Sequence, residues 1–283
     1  MRAPDFWNAN GFIARILSPL GALYGFATKL KQGWDTPYRA QAQVLCVGNL
    51  TAGGAGKTPI AMALGLKLIA RKHKVVFLSR GHGGSLAGPV LVDLHRHDAS
   101  DVGDEALLLA NHAPTIVSRE RGVGAALADS MSADVIVMDD GFQNFSLEKD
   151  LSVLVVDAMT VFGNGRLIPA GPLREKPEDG FKRADAVVLM GDGEPDLRPF
   201  WGPIFRAQLI PTAPEGLRGQ TVFAFAGIAR PEKLFATLQE CGANVVGNQG
   251  FADHHVYSAL ELSALRTAAA ASGALLVRSE EHT

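Results

Sequence analysis

Cysteine is nearly absent from this 283-residue chain: Cys46 and Cys241 stand far apart and in no paired spacing. That excludes a disulfide framework and a zinc centre of the usual ligand pattern, and it points to a reducing, cytosolic setting. No sign of charge dominates either. The formal net charge is −2 and the pI near 6.4, so no general field draws the chain toward nucleic acid. A bilayer-spanning run is also missing, because the apolar stretch between Arg15 and Lys29 is too short and is interrupted by Pro19. No A-x-A-like cleavage site follows it, so it does not read as a signal peptide. Internal repeats and long low-complexity tracts do not occur, and no feature calls for an obligate protein partner.

What the chain has is apolar residues, 47% of the total, enough for a sizeable core and for two domains. Short apolar runs at 75–78, 115–117, 135–138, 151–156 and 186–189 alternate with helical stretches such as 59–71 and 104–111. Buried strands alternating with helices predict an α/β fold with a doubly wound, mostly parallel sheet. Beyond Gly191 the texture turns rich in glycine and proline through Pro214, and a new strand-and-helix series begins at Thr221. The expected organisation is an amphipathic segment at 1–35, a nucleotide-binding domain at 36–205 and a smaller, shortened α/β domain at 206–283.

The most informative stretch is 44–58, an apolar strand running into Thr51, Ala52, Gly53, Gly54, Ala55, Gly56, Lys57 and Thr58. Glycines in such a turn let successive backbone N–H groups face phosphate oxygens at a helix N-terminus. Lys57 then reaches the β/γ-phosphates and Thr58 supplies a hydroxyl to Mg²⁺. Thr51 occupies the position where the common P-loop spelling has its first glycine, so the loop is a variant. A second part of such a site is Val135-Ile-Val-Met-Asp139-Asp140, a buried strand with two carboxylates at its carboxyl end, where a Walker B acid holds the metal. Together the two elements predict ATP, Mg²⁺ and phosphoryl transfer or hydrolysis. No Asn-Lys-x-Asp string for reading guanine is present.

The first forty residues differ from the rest. Phe6, Trp7, Phe12, Ile13, Ile16, Leu17, Leu20, Leu23, Tyr24 and Phe26 cluster among Arg2, Arg15, Lys29 and Lys31. Half-burial of five such side chains is worth about 4 to 7 kcal/mol of membrane affinity, a weak and reversible attachment. A helix packed on the protein's own core carries the same kind of apolar face, and that alternative stays open here.

Seven ordered strings resemble one family, the tetraacyldisaccharide 4'-kinases of Gram-negative bacteria. They are Gly48-Asn-Leu-Thr-Ala-Gly-Gly-Ala-Gly-Lys-Thr-Pro59, Ser79-Arg-Gly-His-Gly-Gly84, Gly103-Asp-Glu-Ala-Leu-Leu-Leu-Ala110, Asp139-Asp-Gly-Phe-Gln143, Gly163-Asn-Gly-Arg-Leu-Ile-Pro-Ala-Gly-Pro-Leu-Arg-Glu175, Phe225-Ala-Gly-Ile-Ala-Arg-Pro231 and Phe251-Ala-Asp-His-His255. The resemblance covers most of the chain and includes the Thr51 variant of the loop. It implies transfer of the γ-phosphoryl group of ATP to the 4'-hydroxyl of an acylated disaccharide 1-phosphate, by a peripheral enzyme on the cytoplasmic face of the bacterial inner membrane.

Asp104, following Gly103 at a helix start, is the candidate base for the sugar hydroxyl, and the resemblance places the family's catalytic Asp there. It further implies His254 as the partner of Asp104, with His255 a close competitor. Arg174 is implied beside the transferring phosphate with Lys57, and Glu175 near the metal with Thr58, Asp139 and Asp140. Arg80, Glu105 and Asn144 are the implied substrate contacts. His82 and Asn144 stand where family members commonly carry Tyr and His, which implies altered substrate contacts. After Val277 the chain reads Arg278-Ser-Glu-Glu-His-Thr283 in place of a Thr-Glu-Lys-Asp-like string, and a loosened second domain is the expectation. Readings from other classes are a membrane-associated P-loop switch ATPase without a sugar acceptor, and a noncatalytic nucleotide-binding module.

Overall fold

The computed structural model describes residues 4–32, 36–210, 216–227, 231–251, 255 and 257–278. The chain divides into two compact units, one formed by Ala3–Leu209 and the other by Ile210–Thr283.

The first unit opens with a 3₁₀ turn at Asp5–Asn8 and helix α1 (Phe12–Gln32). Its strands are β1 (Gln43–Gly48), β2 (Val75–Ser79), β3 (Val90–Leu91), β4 (Thr115–Val117), β5 (Val135–Asp139), β6 (Leu151–Asp157), β7 (Ala186–Met190) and β8 (Ile204–Ala207). Between them lie α2 (Lys57–Ala70), α3 (Ala99–Val102), α4 (Asp104–Ala110), α5 (Arg121–Ser130) and α6 (Pro177–Phe181). The strands form one sheet in the order β3-β4-β2-β5-β1-β6-β7-β8, parallel except for β3 against β4. This is the expected doubly wound α/β architecture.

Continuous apolar runs become strands here because both sheet faces are covered. Alternate residues feed opposite cores: Val44, Cys46, Val76, Leu78, Ile136 and Met138 join one cluster, while Leu45, Val47, Val75, Phe77, Val135 and Val137 join the other. β1 lies between β5 and β6, so the chain leaves it toward one half of the sheet and returns later to build the other. Ligand crevices open at the carboxyl ends of strands around such a switch point.

Strand β8 was not legible in the sequence. The boundary expected between 205 and 206 falls inside it, yet it pairs Val187 with Ile204 through Met190 with Ala207 as the sheet's last strand, and the first unit runs on to Leu209. Ile204, Phe205 and Arg206 remain exposed, so no burial pattern marks it.

The second unit holds β9 (Thr221–Ala226), α7 (Pro231–Glu240), β10 (Asn244–Gly250), α8 (Ala259–Ala271) and β11 (Leu275–Arg278). Its parallel sheet has the order β10-β9-β11 around Leu217, Val222, Ala224, Leu238 and Ala243. Ser258 and Glu261 form a capping box that fixes the start of α8. Residues 279–283, the end whose sequence departs from the family string, lie outside the described residues.

Candidate active site

The site grows from the end of β1. Gly56, at φ 82°, takes the left-handed conformation that turns the loop into α2, which favours glycine there. Lys57 and Thr58 open the helix and are buried. Register in the β1–β5 pair sets Val47 opposite Asp139, so β5 ends beside the glycine-rich loop that follows β1. Thr58 Oγ1 donates to Asp139 Oδ2 at 2.9 Å. A Cβ on Gly48 would lie 2.5 Å from the Phe142 Cβ, so only glycine lets the chain after Asp139 pass this close.

Asp140 takes a left-handed conformation, φ 50°, uncommon for a residue with a side chain. Two cations flank its carboxylate: Arg174 Nη1 at 2.8 Å and Lys57 Nζ at 3.8 Å. The stretch carrying Arg174 is fastened to the loop by backbone bonds, from Arg174 N to Leu50 O and from Ala52 N to Pro172 O, both 2.7 Å. Thr51 and Leu173 form a bridge between them. The neighbouring Glu175 is buried and receives Arg183 Nη2 on both oxygens, at 2.8 and 2.7 Å. Gln143 Nε2 joins these parts, donating to Asn49 O at 2.8 Å and Glu175 Oε1 at 2.9 Å.

Electrostatics separates the two adjacent aspartates. Burial, followed by the nearby negative charge of Glu105, raises the Asp139 carboxyl to about 7. For Asp140 burial pushes upward, but Lys57 and then Arg174 more than offset it, and its pKa falls below the ordinary value. Burial, then the charge of Arg80, lowers the Arg121 guanidinium to about 10.

Among the described residues, buried Asp139 Oδ1, Asn49 Oδ1 and Arg121 Nε have no hydrogen-bond partner. An orphaned carboxylate oxygen beside a threonine hydroxyl is the oxygen donor set Mg²⁺ takes, one or two carboxylates with the remaining positions left to water and phosphate. The residues therefore fit the metal, with Thr58 and Asp139 its natural holders. Asp140 and Glu175, the other two sequence candidates, are engaged by Lys57 with Arg174 and by Arg183 respectively.

Of the remaining candidates, Asp104 and Glu105 form the first turn of α4; Asp104 is exposed and Glu105 half-buried. Glu105 is near enough to act on Asp139. Arg80 directly follows β2 and is exposed. Asn144 is half-buried and accepts the hydroxyl of Ser146 on Oδ1 at 3.2 Å. In the loop, Thr51 Oγ1 accepts from Asn49 Nδ2 at 3.3 Å, while Gly53 and Gly54 are exposed and Ala55 is buried. His254 lies outside the described residues. Its competitor His255 stacks on Phe251 with ring centroids 4.8 Å apart and contacts Glu261 through Nε2 at 3.1 Å.

Sequence reasoning missed Asn49, Arg121, Gln143 and Arg183 as site residues. Asn49 and Gln143 stood inside the motif strings, whereas Arg183 meets Glu175 eight residues away across α6, a spacing that no helical or strand period marks. Arg121 opens α5 and is buried, which an isolated arginine in a sequence does not reveal.

Known proteins resemble this chain in sequence and fold. The family model described as tetraacyldisaccharide-1-P 4'-kinase matches residues 13–282. The tetraacyldisaccharide 4'-kinase of Paramagnetospirillum magneticum is 51% identical over 283 residues, spanning 98% of this chain and 87% of that protein. The enzyme of the same name from Parvibaculum lavamentivorans is 48% identical over 292 residues, spanning 99% and 85%. Among solved structures, LpxK from Aquifex aeolicus in complex with ATP superimposes with a TM-score of 0.74 at 26% identity, covering 95% of this chain and 88% of its own. With a family model spanning nearly all of its length and relatives near half identity, the chain belongs to the tetraacyldisaccharide-1-P 4'-kinase family.

Proposed function

We propose a division of labour for this ATP-dependent lipid A 4'-kinase in which the loop, Lys57, Thr58 and Asp139 handle the nucleotide, and Asp104 handles the acceptor. The observation that carries it is the hydrogen bond from Thr58 to Asp139, which unites the hydroxyl and carboxylate of a phosphate-and-metal site. Mg²⁺ bound there supplies charge neutralisation on the phosphate oxygens. The chain's own groups do the rest. Backbone N–H groups of residues 51–56 and the start of α2 receive phosphate. Asp140 holds Lys57 and Arg174 side by side, so both cations are positioned before a phosphoryl group arrives. Asp104, exposed at the start of α4, accepts the proton of the sugar 4'-hydroxyl as it attacks.

The lipid is met at a membrane surface through α1. Among the described residues no helix is long and apolar enough to cross a membrane. Ala14 is fully buried, whereas Phe12, Ile13, Ile16, Leu20, Leu23 and Phe26 are each more than half exposed. The small residue thus faces the protein and the large apolar ones face outward, which supports an interfacial helix over one that buries its apolar face internally. Peripheral attachment follows from the same reading, and the cytoplasmic face of the inner membrane is the placement we propose for an ATP-dependent kinase of this family.

The test is incubation with Mg²⁺, γ-labelled ATP and detergent-dispersed acylated disaccharide 1-phosphate, followed by mass spectrometry. Label at the 4' position is expected. ATP hydrolysis without a lipid product would instead favour the switch ATPase.

A further inference from the structure

The stretch from Gly163 to Glu175 meets the phosphate loop at one end and the N-terminal segment at the other. At the N-terminal side, Asn164 N donates to Trp7 O at 2.7 Å. Its side-chain Nδ2 lies within hydrogen-bond distance of Phe6 O at 3.2 Å, Ala9 O at 3.3 Å and Ala170 O at 2.9 Å. The Asn164 Oδ1 accepts from Arg166 N at 3.1 Å. Arg166 in turn donates from Nε to Asn10 Oδ1 at 2.8 Å and from Nη1 to Ser18 Oγ in α1. Trp7 Nε1 reaches Pro169 O at 3.1 Å. Helix α1 lies directly on this stretch, since Cβ atoms on Gly21 and Gly25 would approach Leu167 to 3.0 and 2.6 Å.

The connection to the chemistry is one residue long. Leu173 N donates to Arg166 O at 3.0 Å and Leu173 O accepts from Ile168 N at 2.9 Å. The next residue is Arg174, which holds Asp140 and bonds Leu50 of the phosphate loop. An amide and a guanidinium whose bonds span 3₁₀ turn, helix and active-site stretch serve more than local turn formation, for which Asn164 bonding to Ala170 alone suffices.

We infer that Asn164 and Arg166 are positioning residues that set Arg174 and the phosphate loop according to how the N-terminal segment is seated. The inference rests on reading α1 as the membrane-contacting helix: a helix held at a lipid surface then fixes the Gly163 to Glu175 stretch, and a helix released from it leaves Arg174 less constrained. Remote misplacement of this kind acts on turnover, because transition-state contacts depend on sub-ångström placement.

The experiment uses the full-length protein, Mg²⁺-ATP and acylated disaccharide 1-phosphate, presented either in phospholipid vesicles with anionic lipid or in detergent. Trp7→Phe keeps an aromatic side chain while removing the donor to Pro169 together with part of the ring, and Asn10→Ala removes the acceptor for Arg166. Each is expected to lower kcat on vesicles about tenfold, with melting temperature and vesicle co-sedimentation unchanged. Arg166→Ala is expected to lower kcat at least as much, and Asn10→Ala added to it should cost nothing further, as befits one shared contact. Wild-type kcat in the two mild variants would overturn the inference. So would a loss of turnover that merely tracks the fraction bound to vesicles, since the contacts would then only hold α1 together. Should the wild-type protein fail to sediment with vesicles, the membrane reading falls by itself. Turnover in detergent then decides the coupling, a lowered kcat supporting it and an unchanged one overturning it.

Discussion

Thr58 and Asp139 are 81 residues apart in sequence and share a hydrogen bond of 2.9 Å, because β1 and β5 are neighbours in parallel register. The second oxygen of Asp139 is buried without a partner, in a site that also contains Asp140 and Glu105. Asp139→Asn removes charge from that crowded place. The metal-free variant should melt no lower than the wild type, while turnover falls by about 10²-fold or more. At ligand concentrations 100-fold above Kd, Mg²⁺-ATP should stabilise the wild type by about 2.7 kcal/mol and the variant by less. Differential scanning calorimetry with and without Mg²⁺-ATP, beside a turnover assay, checks both halves.

Arg183 is the sole charged partner of buried Glu175 among the described ion pairs. Arg183→Met leaves that carboxylate with Gln143 alone, which should destabilise the protein by about 1–3 kcal/mol. Urea denaturation measures it. An unchanged midpoint would mean that Glu175 finds solvent or another donor without cost.

Gly48→Ala places a methyl group where Phe142 already stands. Overpacking at such a contact costs about 1–3 kcal/mol, and the displaced Asp139-Asp140-Gly141-Phe142 turn should also weaken Mg²⁺-ATP binding. Thermal melting and calorimetric titration of the nucleotide read the two effects separately.

The two cysteines should behave differently toward thiol reagents. Burial pushes the Cys46 thiol up to about 11, so it stays protonated at pH 8 and gains thiolate only as pH rises toward that value. Cys241 is half-buried. Ellman's reagent at pH 8 should therefore titrate Cys241 first and Cys46 only after denaturation; rapid reaction of both in the folded protein would contradict the packing around β1.

Much of the main sheet was legible because its central strands are buried on both faces, so 75–78, 135–138 and 151–156 stand out as unbroken apolar runs. The structure lengthens each by one residue, to Ser79, Asp139 and Asp157. The glycine-rich loop between β1 and α2 and the Asp139-Asp140 pair at the end of β5 stood out because the phosphate and metal proposed for them demand particular residues at fixed local spacing. Strand β8 was not, since an exposed edge strand has no buried face to pattern it. Pairings such as Glu175 with Arg183 and Asn164 with Phe6 were hidden for another reason. The first spans eight residues across α6 and the second 158, and neither falls on a helix or strand period that would mark it in the sequence.

The most direct test of the account is single-turnover phosphorylation of the acylated disaccharide 1-phosphate by Asp104→Ala at saturating Mg²⁺-ATP. Nucleotide affinity should match the wild type, because Lys57, Thr58 and Asp139 are untouched, while the rate of 4'-phosphate formation should fall about 10²- to 10⁴-fold, the usual worth of a general base. A rate near that of the wild type would remove Asp104 from that role and contradict the proposed division between nucleotide and acceptor.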